Sequence, residues 1–166
     1  MPSRNLINPL TRRAKAKSVP RKVFIVHGLD EAPKEKVARF LERVNFSPII
    51  LHEQVSRGRT IIEKIEAHAD VQFAVVLLTP DDMGGAKDGT QNPRARQNVV
   101  LELGYFMAKL GRDRVLALKR DDVEMPSDMA GVVYQTFDAG DAWMHVLGKE
   151  LESAGFVIDW NLVMRQ

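Results

Sequence analysis

Apolar positions fall into two alternating patterns, short runs that are apolar throughout and longer stretches with an apolar residue every three or four places. The first run, Lys22-Val-Phe-Ile-Val-His27, is β-branched and aromatic and leads into Gly28-Leu-Asp30. A buried strand ending in a turn has this composition. Pro33 then opens a helical pattern with Val37, Phe40, Leu41 and Val44 on one face. Ser47-Pro-Ile-Ile-Leu51 is a second strand, and beyond the polar residues His52 to Gly58 a second amphipathic helix shows Ile61, Ile62, Ile65 and Ala69. Val71 to Thr79 is the most hydrophobic run and reads as a central strand, apolar on both faces. A polar loop from Pro80 to Pro93 feeds a helix over 94–111. Arg114-Val-Leu-Ala-Leu118 and Val132 to Phe137 make a fourth and a fifth strand. Ala142 to Ala154 is a last helix with Trp143, Val146, Leu147 and Leu151 inward, and Phe156 to Gln166 is left as a short tail that can fold back.

Strands alternating with helices predict a parallel sheet covered on both faces. With five strands, the expectation is an α/β flavodoxin-like fold with strand order 2-1-3-4-5. Ligands are then expected at the carboxyl ends of the strands, between the first and third, where the order reverses. The loops that meet there carry His27, Gly28 and Asp30, then Asp81 and Asp82, then the segment leading through Asn98 into the third long helix.

That helix holds the leading candidate for chemistry. Stepping about 100° per residue from Val99, Val99, Leu103, Phe106, Met107 and Leu110 share one stripe, and Glu102 lies about a quarter turn from its middle. Such a position is neither core nor open solvent. A helical Glu is ordinarily paired with Lys or Arg three or four places away, but the residues at those places are Asn98, Val99, Tyr105 and Phe106. Gly104 costs about 1 kcal/mol relative to Ala in a helix interior, which predicts that another element or a ligand approaches the backbone there.

Charge and cysteine count narrow the setting. Net charge is +2, yet residues 1–22 hold seven basic side chains and no acid, leaving 17 basic against 22 acidic from residue 23 onward. The basic segment 1–21, with Pro9, Ser18 and Pro20, is expected to be a solvated disordered leader rather than a nucleic-acid or lipid contact. The domain is expected over 22–160 and a tail over 161–166. There is no cysteine, so disulfides and thiolate chemistry are excluded. No apolar run reaches the length of a spanning helix, and a cytoplasmic protein that binds no membrane is expected.

Several chemistries drop out by motif. No Gly-x-Ser-x-Gly elbow, P-loop or Gly-x-Gly-x-x-Gly is present, and His27, His52, His68 and His145 lack metal-ligand spacing. No metal or cofactor is expected. Thr60-Ile-Ile-Glu63 fits a capping box, and Gly58-Arg59-Thr60 beside it could hold an anion or meet a partner subunit. Asp81 and Asp82 suit a turn, or ribose hydroxyls, metal or phosphate. A lone carboxylate is enough for one kind of glycosidic cleavage. A pyridinium base leaves neutral and needs no proton, so one ionised Glu can serve by stabilising an oxocarbenium-like sugar or by attacking it.

Phe24-Ile-Val-His-Gly-Leu-Asp30, Leu51-His-Glu-Gln54, Gly58-Arg-Thr-Ile-Ile-Glu-Lys64, Phe73 to Asp82, Arg94 to Gly104 and Pro126-Ser-Asp128 resemble, in order, the bacterial TIR-like family that supplies cyclic-nucleotide-responsive anti-phage effectors. The resemblance covers roughly 22–159. It implies NAD⁺ glycohydrolase activity switched on by assembly, with NAD⁺ as substrate, Glu102 as the catalytic residue, and Arg59 and Asn98 beside His27, Gly28, Asp30, Asp81 and Asp82 in the substrate site. It also implies self-association through a loop containing Glu53, Gln54, Gly58, Arg59 and Thr60. A cyclic-nucleotide sensor is then on another protein or on more of the same chain, unless this is a TIR-only member. Three rivals remain open: a non-catalytic TIR scaffold, a phospho-receiver using Asp81 and Lys119, and nucleoside deoxyribosyl transfer.

Overall fold

β3 (Phe73–Leu78) is buried at all six positions. Its side chains alternate between two cores, Phe73, Val75 and Leu77 in one and Ala74, Val76 and Leu78 in the other. Burial on both faces requires a strand paired on each side and covered above and below. The computed structural model, which describes residues 20–50, 60–68, 70–120, 122–127, 129 and 131–165, shows that arrangement. β3 is the centre of a parallel sheet ordered β2-β1-β3-β6-β7, with β1 at Lys22–Val26, β2 at Ser47–Ile50, β6 at Val115–Lys119 and β7 at Val133–Thr136. β1 pairs with β3 from Val23↔Phe73 to Val26↔Val76, and β3 with β6 from Ala74↔Val115 to Leu78↔Lys119. Counting these five strands alone, the order is the expected 2-1-3-4-5.

α1 (Glu31–Arg43), α4 (Ala142–Ser153) and α5 (Trp160–Val163) cover one face. The short α2 (Ile61–Glu66) and α3 (Gln97–Leu110) cover the other, through Ile65, Val99, Leu103 and Phe106. α1 starts two residues before Pro33 because the Asp30 carboxylate accepts from the Ala32 amide and caps it. Thr60 and Glu63 form the capping box of α2, as the spacing predicts.

Three features differ from the sequence pattern. The polar loop contains a hairpin, β4 (Asp82–Gly84) against β5 (Asn92–Arg94). Three residues per strand are too few for any alternation to register, and α3 consequently begins at Gln97. The C-terminal stretch is part of the core, since Phe156, Ile158 and Val163 are buried and Asp159 caps α5. Arg21, grouped by charge with the leader, ties the fold together. Its guanidinium donates to the carbonyls of Asn45, Val44 and Val157 at 2.8–3.0 Å and lies 4.0 Å from the centre of the Phe46 ring. The expected leader up to residue 19 lies outside the described residues. Among those described, no helix is long and apolar enough to cross a membrane.

Candidate active site

Glu102 stands on the sixth residue of α3 and is only 2% exposed. It is buried more deeply than its place beside the apolar stripe suggests, because α2 packs along that flank of α3 and brings Ile62 and Ile65 to it. Neither carboxyl oxygen has a hydrogen-bond partner among the described residues. Burial alone therefore decides its protonation and pushes the carboxyl up from 4.5 to about 7.

A cavity of about 60 Å³ adjoins it, lined among the described residues by Ile62, Ile65, Asn98, Leu101, Glu102 and Tyr105. Its wall is carbon throughout, with the carboxyl oxygens just beneath. The helical spacing explains the grouping. Asn98, Leu101, Glu102 and Tyr105 lie within a third of a turn of one another on α3. Leu101 and Ile62 form the rim, 68% and 46% exposed.

The loops at the strand ends do meet, though not all around Glu102. Asp81 Oδ2 accepts from the Thr79 hydroxyl at 2.7 Å and from the Leu29 amide at 3.0 Å, joining the loops after β3 and β1. Gly28 permits this, because a Cβ there would lie 1.7 Å from Asp81 Oδ2. His27 is buried, with Nδ1 2.9 Å from the Gly28 carbonyl. Asp30 turns toward α1, where it caps the helix and pairs with Arg120 at the end of β6. Asp82 is exposed in the hairpin opposite Arg94. Of the expected substrate residues, Asn98 alone shares the cavity with Glu102. Arg59, and Glu53, Gln54 and Gly58 of the expected assembly loop, lie outside the described residues, as does Asp128. Thr60 is the cap of α2.

Gly104 corrects one expectation. A Cβ there would meet nothing within 4 Å among the described residues, so no described element approaches its backbone closely; among these positions the close approach between elements is at Gly28. Sequence reasoning passed over Tyr105 and Leu101 as site residues. Their offsets of +3 and −1 from Glu102 are the available signal, since those side chains flank its own on the helix surface. Ile62, expected inward, stands at the rim instead.

A doubly wound parallel sheet with a carboxyl buried on α3 fits a TIR-like domain. A family model described as CAP12/Pycsar effector protein, TIR domain, matches residues 22–139, and the chain belongs to that family. The chain is 51% identical over 143 residues to the protein YuaY of Escherichia coli K12, an alignment covering 85% of this chain and 48% of YuaY. Identity to tirC of Dictyostelium discoideum is 38% over 125 residues, 68% of this chain and 62% of tirC. With the Pycsar effector protein BcPycTIR of Burkholderia cepacia it is 45% over 74 residues, 43% of this chain and 24% of that protein. The chain thus spans about half of YuaY and about a quarter of BcPycTIR.

Proposed function

We propose that this chain is an NAD⁺ glycohydrolase, the TIR effector of an anti-phage defence system, with Glu102 as its catalytic carboxylate. The observation that carries the reading is a carboxyl buried beside a carbon-lined cavity with no donor and no cation to meet it among the described residues. Such burial opposes ionisation. A ligand that brings its own positive charge offsets it, and groups perturbed in this way cluster at functional sites. The pyridinium of NAD⁺ has that charge. A cavity of about 60 Å³ holds roughly four to six water-sized groups, room for the edge of a flat ring to approach the carboxyl.

The chemistry follows from the charge. The incoming cation lowers the carboxyl's pKa and drives its proton out. The bond between ribose C1′ and the ring nitrogen breaks with both electrons going to nitrogen, so nicotinamide leaves neutral. The carboxylate stabilises the ribosyl cation or captures it as an ester, and water completes hydrolysis while releasing a proton. Asn98, at the mouth, has an amide donor and acceptor that match the carboxamide of the leaving base. His27, Gly28, Asp81 and Asp82 are assigned to the ribose and phosphate end; Asp30 is engaged with α1 and Arg120, and Arg59 lies outside the described residues. The Pycsar effector named above supports the defence setting, and with it activation by a cyclic-nucleotide sensor and by self-association.

The test is incubation of the chain with NAD⁺ and chromatography of the products, dilute and then crowded. Nicotinamide release should rise faster than in proportion to protein concentration. No release under either condition would remove the reading. The scaffold alternative draws on the exposed Leu101 and Ile62 at the cavity rim, and it expects no turnover in any assembled state.

A further inference from the structure

A second, larger hollow of about 510 Å³ lies beside the start of α3, lined by Gln97 and Val100 of that helix, Arg94 of β5, and Glu124, Met125 and Pro126. Its size is that of a small-molecule site, which ranges over roughly 300–1,000 Å³. Around α3, Gln97 and Val100 stand about a third of a turn from Asn98, Leu101 and Tyr105. The hollow and the Glu102 cavity therefore flank the same first turns of one helix. A ligand with a ring in each must cross about one helix width, roughly 10–12 Å with side chains, which a dinucleotide in extended form can do.

The lining selects what kind of ring enters. Arg94 grips Glu124 with two hydrogen bonds, Nε to Oε2 at 2.9 Å and Nη2 to Oε1 at 3.0 Å, and Asn92 adds a third at 3.2 Å. The hydrogen bonds from Arg94 and then Asn92 hold the Glu124 carboxyl below its ordinary value, and Glu124 raises Arg94 in turn. Both stay charged and cancel, so the rim attracts no isolated anion. Beneath it Val100, Met125 and Pro126 give an apolar floor, and the exposed Gln97 amide presents one donor and one acceptor. A flat, uncharged heterocycle with a donor and acceptor edge fits this combination, and adenine is such a ring.

We infer that the hollow is the subsite for the purine nucleoside end of the substrate, resting on the glycohydrolase reading for what occupies the Glu102 cavity. It makes the protein a reader of both ends of a dinucleotide, with the scissile bond on one flank of α3 and the recognition handle on the other.

Adenosine is the probe, titrated into the full chain and followed by calorimetry or NMR shifts. Saturable binding is expected in the wild type and in Glu102→Gln, and it should weaken by about tenfold or more in Gln97→Trp, which fills the hollow from an exposed first-turn position. Gln97→Lys serves as a second variant that keeps that position polar. No saturable binding in the wild type, or wild-type affinity retained in Gln97→Trp, would overturn the subsite. In turnover, the preference for NAD⁺ over nicotinamide mononucleotide, which lacks the adenylate half, should narrow about tenfold in Gln97→Trp; an unchanged ratio also overturns it. Adenosine binding without NAD⁺ cleavage by the wild type would retire the glycohydrolase and leave the adenosine site standing.

Discussion

The two faces of the sheet are built from alternate residues of the same strands, yet they are covered in opposite ways. On the α1 and α4 face the filling is aromatic. Trp143 meets Phe40 edge-on at 5.5 Å and stacks on Phe137 at 5.0 Å. On the α2 and α3 face the strands offer the small Ala74 and Ala117, α2 is only six residues long, and a carboxyl is buried with no bonding partner among the described residues. The first face is packed for stability. The second is also well filled, with Phe24 and Phe106 in contact at 4.9 Å, but it keeps a costly group, the kind of local inconsistency that concentrates at functional sites.

Glu102→Gln should break the contrast most sharply. It keeps the shape and removes the charge, so nicotinamide release is expected to fall by about a hundredfold or more while the melting temperature does not drop. Trp143→Ala acts on the other face, where removing a buried aromatic costs about 3–5 kcal/mol. Denaturant unfolding would show that loss, with no change in the pH dependence of stability.

The pH dependence belongs to Glu102. Its folded value of about 7 lies above the ordinary 4.5, so the folded chain binds this proton more tightly than the unfolded one. The stabilisation is full below about 4.5 and is lost as pH rises through 7, on the order of 2 kcal/mol after allowing for screening. Glu102→Leu should abolish that loss, measured as urea midpoints at pH 5 and pH 8. The smallest effect is expected at Gly104→Ala, which meets open space on an exposed helix face and should stabilise by about 1 kcal/mol. A destabilisation there would point to an element approaching the Gly104 backbone.

Periodicity made the five-stranded sheet legible because each strand is bounded by turn residues and β3 is apolar without interruption. The hairpin was not, since Asp82–Gly84 and Asn92–Arg94 are held by pairing across a loop rather than by their own side chains. Glu102 stood out through the missing partners at its helical offsets. Its depth did not, because that comes from α2, whose Ile65 is 37 residues earlier in the chain. The Arg94 to Glu124 clamp spans 30 residues and leaves no local trace. Arg21 misled for a simpler reason: its charge matched the leader, while its role is to bond three backbone carbonyls.

The most direct measurement is the titration of the Glu102 side chain by carboxyl ¹³C NMR, assigned by difference against Glu102→Gln, with and without the N-methylnicotinamide cation. The free protein should titrate near 7, and saturating cation should move the midpoint downward. A midpoint in the ordinary carboxylate range near 4.3, indifferent to the pyridinium, would contradict the claim that this carboxyl is kept dry for a substrate that carries the opposite charge.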